Sequence, residues 1–323
     1  MDNKFKTPVL FLIFNRSDTT QQVFNQIRQI KPKYLFVAAD GPRLDKFEDF
    51  EKCSETRNII KQIDWECELK TLFRETNLGC RVGVSSAITW FFENVEQGII
   101  LEDDCFPDLS FFPYCEILLN KFKADNRIFL ISGNNFSGID VKNPNSYYFT
   151  KFNSIWGWAT WRRAWGNYDV NMPDYLRDKN NLFKHNIYIS REATNHYKNG
   201  LNRMNIEKNN TWDLAWLYAI IKCQGLSITP QINLVKNIGT DNNSTHKFLK
   251  DSFRDNIELG KILLPLKHPE FKISNHIDRL SFDNYRGKSI RRILRIIKEN
   301  GIGRVFLYYL KVHLKHKLKL KTF

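Results

Sequence analysis

Three consecutive acids, Glu102, Asp103 and Asp104, follow an apolar run that begins at Gly98. Such a run is typical of a buried strand, so the three carboxylates are predicted to lie together at a strand end, where their like charges repel one another. Oxygen ligands of this kind suit Mg²⁺ or Mn²⁺. The pattern predicts a metal site, and the alternative is a solvated turn in which Asp104 or Asp108 caps the next helix.

Polar side chains also follow the neighbouring apolar runs. Asn15 and Arg16 come after the first run, Asp40 after the second, and Arg81 a few residues after the third. The carboxyl ends of parallel strands meet at one edge of a sheet, where open α/β sheets bind ligands. An arginine fork can bind a phosphate or a base carbonyl, and an aspartate can accept a hydrogen bond from a uracil imide. The pattern predicts a nucleotide site, and the lack of a glycine-rich loop after the first run disfavours dinucleotide oxidoreductases and P-loop ATPases.

Strands and helices that alternate through the first 130 residues must position these side chains. Continuous apolar runs separated by helical patterns are typical of a parallel, doubly wound α/β sheet. A further helix is predicted over 213–223 and a strand over 226–229. In the first part of the chain the predicted strands lie at 9–14, 34–39, 69–73, 99–101 and 128–131, and the helices at 18–30, 52–63, 83–95 and 109–122.

Composition narrows the class of protein. With 323 residues, of which 42% are hydrophobic, the chain can bury a large core. Its six cysteines form no C-x-x-C pair and no regular framework, which disfavours zinc sites and a disulfide scaffold. The apolar stretch at 9–14 is too short for the core of an export signal, and no apolar run reaches the about 20 residues that cross a bilayer. We therefore expect a cytoplasmic protein with reduced thiols.

The positive charge is concentrated near the end of the chain. Residues 286–323 contain twelve Lys and Arg against the single acid Glu299, a net +11 of the chain's total of +14. Apolar residues interleave with these charges, and the pattern predicts two basic amphipathic helices that are interrupted at Gly301 and Gly303. Such helices bind the headgroup region of anionic bilayers. The alternative is that the apolar stripe packs on the body of the protein, while nucleic-acid binding is disfavoured because the aromatic residues form no stacking platform.

Several of these motifs together resemble a known family, the GT-A fold glycosyltransferases, and specifically the branch around N-acetylglucosaminyltransferase I. The resemblance covers residues 8–250 and implies a Rossmann-like, mostly parallel sheet flanked by helices. It is carried by the segments Phe14-Asn15-Arg16-Ser17, Ala39-Asp40-Gly41, Asn77-Leu78-Gly79 with Arg81, Ile100-Leu101-Glu102-Asp103-Asp104, and Phe111-Phe112.

The resemblance implies roles for the acidic motif, which matches the family's DxD-type motif. By that likeness Asp104 coordinates Mn²⁺, or Mg²⁺ in its place, which bridges the diphosphate of a nucleotide-sugar donor. Glu102 and Asp103 would hydrogen-bond the donor sugar and the ribose. Arg16 and Asp40 match the family's contacts to uracil, which favours a UDP-linked donor.

Two positions are less direct matches to the family. Arg81 lies near a further uracil contact that is a histidine in the eukaryotic enzymes, so it is a weaker indication of the base. His246 lies in a polar segment, 237–246, that resembles a loop ordering over the bound donor. His246 is expected to reach the metal or the diphosphate, and the alternative is a solvated loop histidine.

The second half of the chain is expected to hold the acceptor. Four tryptophans fall within 156–165, and most such residues belong to a core, but Trp156 and Trp158 match an acceptor-side segment of the family and are expected to form pocket walls. Asp213, in Thr211-Trp212-Asp213, matches the family's general base. The alternative is that Asp213 only complements the dipole of the helix that it begins.

Together these expectations describe a metal-dependent glycosyltransferase acting by a single displacement that inverts the sugar, with Asp213 as the base. The donor half would span 1–135, the acceptor half 136–255 and a basic helical extension 256–323. The acceptor would be a glycan or a lipid-linked glycan of a surface polysaccharide, at the inner face of the cell membrane. A nucleotidyltransferase of similar fold and a noncatalytic basic membrane or nucleic-acid-binding protein are the alternatives.

Overall fold

The computed structural model describes residues 5–138, 145–183, 189–207, 211–239 and 257–286. Helices and strands alternate over residues 9–102, and runs of strands and of helices follow. The strands are β1 (Val9–Ile13), β2 (Tyr34–Ala39), β3 (Glu68–Phe73), β4 (Gln97–Glu102), β5 (Cys105–Pro107), β6 (Ile128–Ser132), β7 (Tyr147–Thr150), β8 (Trp158–Trp161), β9 (Leu226–Pro230) and β10 (Val235–Asn237). The helices are α1 (Ser17–Ile30), α2 (Phe47–Asn58), α3 (Gly79–Asn94), α4 (Phe111–Lys121), α5 (Arg162–Trp165), α6 (Tyr175–Leu182), α7 (Arg191–Glu207), α8 (Asp213–Lys222) and α9 (Asn275–Tyr285).

Eight of the strands form one mixed sheet in the order β3-β2-β1-β4-β8-β6-β9-β7, and β5 pairs with β10 in a separate ribbon. Six strands of the large sheet run parallel, whereas β8 and β7 run antiparallel to their neighbours. The predicted α/β class with a mostly parallel sheet is confirmed. The sheet runs through both predicted halves of the chain.

The central strand β1 is buried on both faces because helices cover the sheet from each side. Val9 and Phe11 pack with α1 and α4, while the alternate residues Leu10 and Leu12 pack with α3 and α8. A strand between two helical layers needs apolar side chains at every position, which explains the uninterrupted apolar run. The chain leaves β1 towards β2 on one side, and β4 lies on the other side, so a crevice opens at the carboxyl ends of β1 and β4.

The order of the predicted strands and helices in the first 130 residues is confirmed, although α2 lies at Phe47–Asn58 instead of 52–63, the short strand β5 was not predicted, and α3 begins at Gly79 instead of residue 83. Its first N–H groups are bound by a side chain distant in sequence. Asp40, at the end of β2, accepts hydrogen bonds from the backbone N–H groups of Leu78 and Gly79, each at 2.9 Å. A cap supplied from another strand gives no local signal, so the sequence pattern placed the start of the helix one turn too late.

The residues beyond 286, and with them the predicted amphipathic tail, lie outside the described residues. In the described part of the chain, no helix has the length and apolar character that crossing a membrane requires.

Asp49 joins α2 to the end of β1 and makes stability depend on pH. Its carboxylate is buried and accepts hydrogen bonds from Arg43 and, at 2.8 Å, from the side chain of Asn15. The hydrogen bond from Arg43 lowers the pKa of Asp49 and has a larger effect than burial, which raises it, so the pKa falls from 3.8 to about 2. Because the folded-state pKa lies below the unfolded value, the Asp49 carboxylate adds about 2 kcal/mol to the free energy of unfolding above pH ~4, and this contribution is lost as the pH falls towards 2.

Urea unfolding should therefore show that wild type exceeds Asp49→Asn in free energy of unfolding at pH 6 and that the difference becomes smaller at pH 3. A difference that stays the same at both pH values would contradict the assignment.

Candidate functional site

A cleft of about 680 Å³ opens at the carboxyl ends of β1, β2 and β4. This volume lies in the range of small-molecule sites, and the position is the one where doubly wound sheets bind ligands. The lining includes Asn15 and Arg16 from the end of β1, Asp40 from the end of β2, and Glu102 and Asp103 from the end of β4. The structure therefore brings together five of the residues predicted to bind the nucleotide.

Arg16 is the counter-charge of the acidic motif. Its guanidinium donates hydrogen bonds to Asp103 and, at 3.0 Å, to Oδ2 of Asp104. Burial disfavours the charge of Arg16, but the two carboxylates outweigh burial and raise the pKa of its guanidinium. The arginine is therefore held as a cation against the end of β4.

The three acids carry more negative charge than Arg16 can neutralise. Burial raises the pKa of Glu102, and the charges of Asp104 and Asp103 raise it further, with Arg16 acting in the opposite direction. Burial also raises the pKa of Asp103, again against the effect of Arg16. One guanidinium beside three carboxylates leaves an excess of negative charge, and a bound cation is one of the few ways to stabilise such an excess away from water.

The alternative of a solvated turn does not fit the motif. Asp103 is only 3% exposed. At the start of α4 it is Asp108, rather than Asp104, that accepts the hydrogen bonds, from the backbone N–H and the hydroxyl of Ser110. The turn that leads into α4 is therefore held by Asp108, without using the acidic motif.

The donor set fits a divalent cation that arrives with a substrate. Within the described ranges, no three His, Cys, Asp or Glu side chains are arranged as a ready-made metal centre. Cations such as Mg²⁺ are commonly held by one or two carboxylates together with substrate phosphates, so a complete protein cage is not required. Asp104 is partly exposed, and among the described residues its Oδ1 meets only the weak thiol donor of Cys105, at 3.5 Å. His246, the other predicted ligand, lies outside the described residues.

Asp40 lines the cleft but is already engaged by the backbone. Besides the two bonds that cap α3, its carboxylate accepts one from the N–H of Gly41 at 3.0 Å. Gly83 makes this arrangement possible, since a Cβ at that position would lie 2.9 Å from Oδ2 of Asp40. Any contact of Asp40 with a base must use the lone pairs that these three bonds leave.

Arg81 does not join the cleft with the other predicted residues. Its Nη2 donates to the carbonyl oxygen of Val170 at 2.7 Å, and the α3 side chain at the cleft is instead Cys80. The reason is helical phase: Cys80, Val84 and Ala87 share one face of α3, and Arg81 lies to the side of that face. Arg81 is thus not among the residues that line the cleft, its expected contact with the base stays a prediction, and Cys80 is a cleft residue that the sequence analysis missed.

Asp213 lies next to the cleft, beyond Cys80. Desolvation raises the pKa of the Cys80 thiol, although part of its surface is exposed, and the charges of Glu102 and Asp213 raise the pKa further. The charge of Asp213 also raises the pKa of Glu102, so the two carboxylates are within electrostatic range of each other. Oδ1 of Asp213 accepts hydrogen bonds from the Thr211 hydroxyl and, at 2.9 Å, from the backbone N–H of Leu214. Among the described residues none donates to Oδ2, which is left able to accept a proton.

A cluster of tryptophans fixes the backbone beside Asp213. Trp212 is 2% exposed and stacks on Trp158 with ring centroids 5.8 Å apart, and Trp165 and Trp216 complete the cluster. Trp158 has no exposed surface because β8 is an interior strand between β4 and β6, so the expectation that it walls an acceptor pocket is corrected. Trp156 is half-buried and packs its ring on Phe136.

The segment that follows β10 closes over the acidic motif. The backbone N–H of Ile238 donates to the carbonyl oxygen of Asp104 at 2.8 Å. A Cβ on Gly239 would lie 2.5 Å from Oδ2 of Asp104 and 2.6 Å from Nη1 of Arg16, so only glycine permits this approach. The sequence analysis identified this segment as part of a polar loop. It did not predict that the loop packs against Asp104 and Arg16, although a glycine at position 239 is compatible with such close packing.

Comparisons with known proteins identify no close relative among the families and curated proteins searched. No family model matches the chain, and a search of curated proteins finds no match. Among solved structures, HddC from Yersinia pseudotuberculosis matches with 8% identity over 44% of this chain and a TM-score of 0.27. The 4-diphosphocytidyl-2C-methyl-D-erythritol synthase from Anaerococcus prevotii matches with 9% identity over 49% of this chain, covering 72% of its own, and a TM-score of 0.26. The match spans only 59% of the HddC chain, and similarity of this extent assigns no activity to the protein.

Proposed function

We propose that the protein is a GT-A-type glycosyltransferase that moves a sugar from a nucleoside-diphosphate donor, with uridine as the favoured base, to a hydroxyl of a glycan or lipid-linked glycan. One observation carries the proposal: at the crevice between β1 and β4, Arg16 pairs with Asp103 and Asp104, Glu102 lies beside them, and a further carboxylate, Asp213, is within electrostatic range of Glu102. This arrangement offers a cation and diphosphate site beside a group that can accept a proton.

On the donor side, each residue has a task that its position permits. Asp104 would hold Mn²⁺ or Mg²⁺ through its open oxygen, and the cation, when bound, supplies neutralising charge for the departing nucleoside diphosphate. Arg16 presents a planar fork that suits a phosphate or a base carbonyl. Asn15 and Asp40 lie at the part of the cleft where a nucleoside would bind, and Glu102 with Asp103 would accept hydrogen bonds from sugar and ribose hydroxyls.

On the acceptor side, Asp213 would remove the proton from the attacking hydroxyl. Thr211 and Leu214 hold one of its oxygens, which orients the carboxylate, and the other oxygen accepts the proton. One base facing one leaving group supports a single displacement with inversion. Trp156 is retained as a candidate contact to the acceptor because its ring is only half-buried.

The proposal extends to location and organisation. Residues 1–135 would bind the donor, 136–255 the acceptor, and 256–323 would form the extension whose net charge from residue 286 onwards is +11. Such a tail is attracted to anionic lipid, which supports a peripheral position at the inner face of the membrane, where lipid-linked glycans of a surface polysaccharide would be extended. His246 is retained as a candidate ligand of the metal or the diphosphate.

Calorimetry with a panel of nucleotides tests the proposal. We expect UDP and UDP-sugars to bind more tightly with Mn²⁺ than in chelator, to bind more tightly than the CDP, GDP and ADP analogues, and to raise the melting temperature accordingly. Product analysis with a mixture of glycan acceptors should then show loss of sugar from the donor. Release of pyrophosphate from nucleoside triphosphates, without any transfer from UDP-sugars, would contradict the proposal and favour the nucleotidyltransferase alternative.

A further inference from the structure

Arg16 and Asp104 form an ion pair in the place where the proposed function requires a metal ligand. Nη2 of Arg16 lies 3.0 Å from Oδ2 of Asp104 and also bonds Asp103, and the side chains are 26%, 15% and 4% exposed for Arg16, Asp104 and Asp103. The pair is thus largely shielded from water, where a charge–charge interaction is strong, and the guanidinium already occupies Oδ2 of Asp104.

The backbone at Gly239 lies close to this pair. A Cβ there would lie within 2.6 Å of both Oδ2 of Asp104 and Nη1 of Arg16, so the chain passes directly over the contact between them. Oδ1 of Asp104 stays more open, with the Cys105 thiol at 3.5 Å as its neighbour. A cation approaching Oδ1 would meet the guanidinium across the same carboxylate.

We propose that Arg16 is a positioning residue that substitutes for the divalent cation in the nucleotide-free protein, and that its guanidinium leaves Asp104 for the donor diphosphate when the donor binds. This inference rests on the proposed function. Without a diphosphate, the guanidinium of Arg16 keeps its hydrogen bonds to Asp103 and Asp104, so it remains beside Asp104 and repels the cation. A diphosphate offers a stronger partner for the guanidinium fork. Metal and nucleoside diphosphate must therefore bind with positive coupling, and each must raise the affinity of the other by the same factor.

Titration of the full-length protein with Mn²⁺ alone tests this inference, with binding measured by calorimetry or by the electron paramagnetic resonance signal of free Mn²⁺. We expect Arg16→Gln to bind Mn²⁺ at least tenfold more tightly than wild type in the absence of nucleotide, and to gain less affinity than wild type when UDP is added. The matched control is Arg28→Gln, which removes a guanidinium from α1, the helix that follows Arg16, where Arg28 pairs with Asp64. That variant should bind Mn²⁺ as wild type does.

An Arg16→Gln variant that binds Mn²⁺ no more tightly than wild type would overturn the inference. Should that variant not fold, the wild-type protein still decides the matter, because equal Mn²⁺ affinity with and without UDP also overturns it. Two other results would contradict the proposed function itself. The affinity for UDP would be the same with and without Mn²⁺, and the affinity for Mn²⁺ would be unchanged by Asp104→Asn. Coupled binding that depends on Asp104 but is unchanged by Arg16→Gln would leave the proposed function standing and reject the role of Arg16.

Discussion

Asp213→Asn is expected to slow sugar transfer by about 10²–10⁴-fold, the usual contribution of a positioned general base. The amide keeps the size of the side chain and can still accept the hydrogen bonds from Thr211 and Leu214 at its oxygen, but it cannot take the acceptor proton. Because Asp213 lies beyond Cys80 and is not among the residues that line the cleft, the affinity for UDP and Mn²⁺ should stay close to that of wild type. Initial rates at saturating donor, together with calorimetric UDP binding, measure the two effects separately.

The matched control is Asp174→Asn, which removes a carboxylate that pairs with Lys222 at the other end of α8. Turnover of this variant should stay within about twofold of wild type, since the change is on the surface. If Asp213 only complements the helix dipole, Asp213→Asn will lose some stability and keep its rate. Near-normal turnover in Asp213→Asn would therefore remove the residue from the catalytic role.

Asp104→Asn is expected to remove Mn²⁺-dependent donor binding and to reduce transfer roughly 10³-fold, because several kcal/mol of charge stabilisation at the leaving group disappear with the cation. The variant keeps the side-chain volume under Gly239, so the packing of the site is preserved. Binding of UDP with and without Mn²⁺, followed in the same preparation as the transfer rate, should show both losses together.

Asp108→Asn provides the comparison for this experiment. Asp108 lies four residues further along the chain and bonds Ser110 at the start of α4, away from the cleft lining. This variant should keep its Mn²⁺ dependence and differ mainly in stability. An Asp104→Asn protein that transfers sugar at the wild-type rate in the presence of chelator would end the proposed metal role.

The parallel core of the fold was predictable because its signals are local. The runs that form β1 and β2 are apolar at every position, and polar residues mark the point where each strand ends, so both the strands and the edge that carries Arg16, Asp40 and Glu102 could be read directly. The antiparallel strand β8 was not predicted. Its sequence, Trp-Ala-Thr-Trp, has no polar alternation because both faces of the strand are covered, and its partners β4 and β6 are distant in the chain.

The errors at the candidate site have the same physical origin. Placing the start of α3 one turn too late hid the face that Cys80 presents to the cleft and left Arg81 as the apparent candidate. The contact of Arg16 with Asp104 under Gly239 joins three positions that are far apart in sequence. No periodicity records such a contact, and only the folded chain brings it into view.

The tryptophan cluster has a consequence for how this protein can diverge over evolutionary time. Trp212 is stacked on Trp158 inside the molecule, and the next residue in the chain is Asp213. Moving this carboxylate would require rebuilding the interior around it. Under the proposed function, changes of acceptor should therefore arise through substitutions in the surrounding surface segments, and Trp212 and Asp213 should change together or not at all.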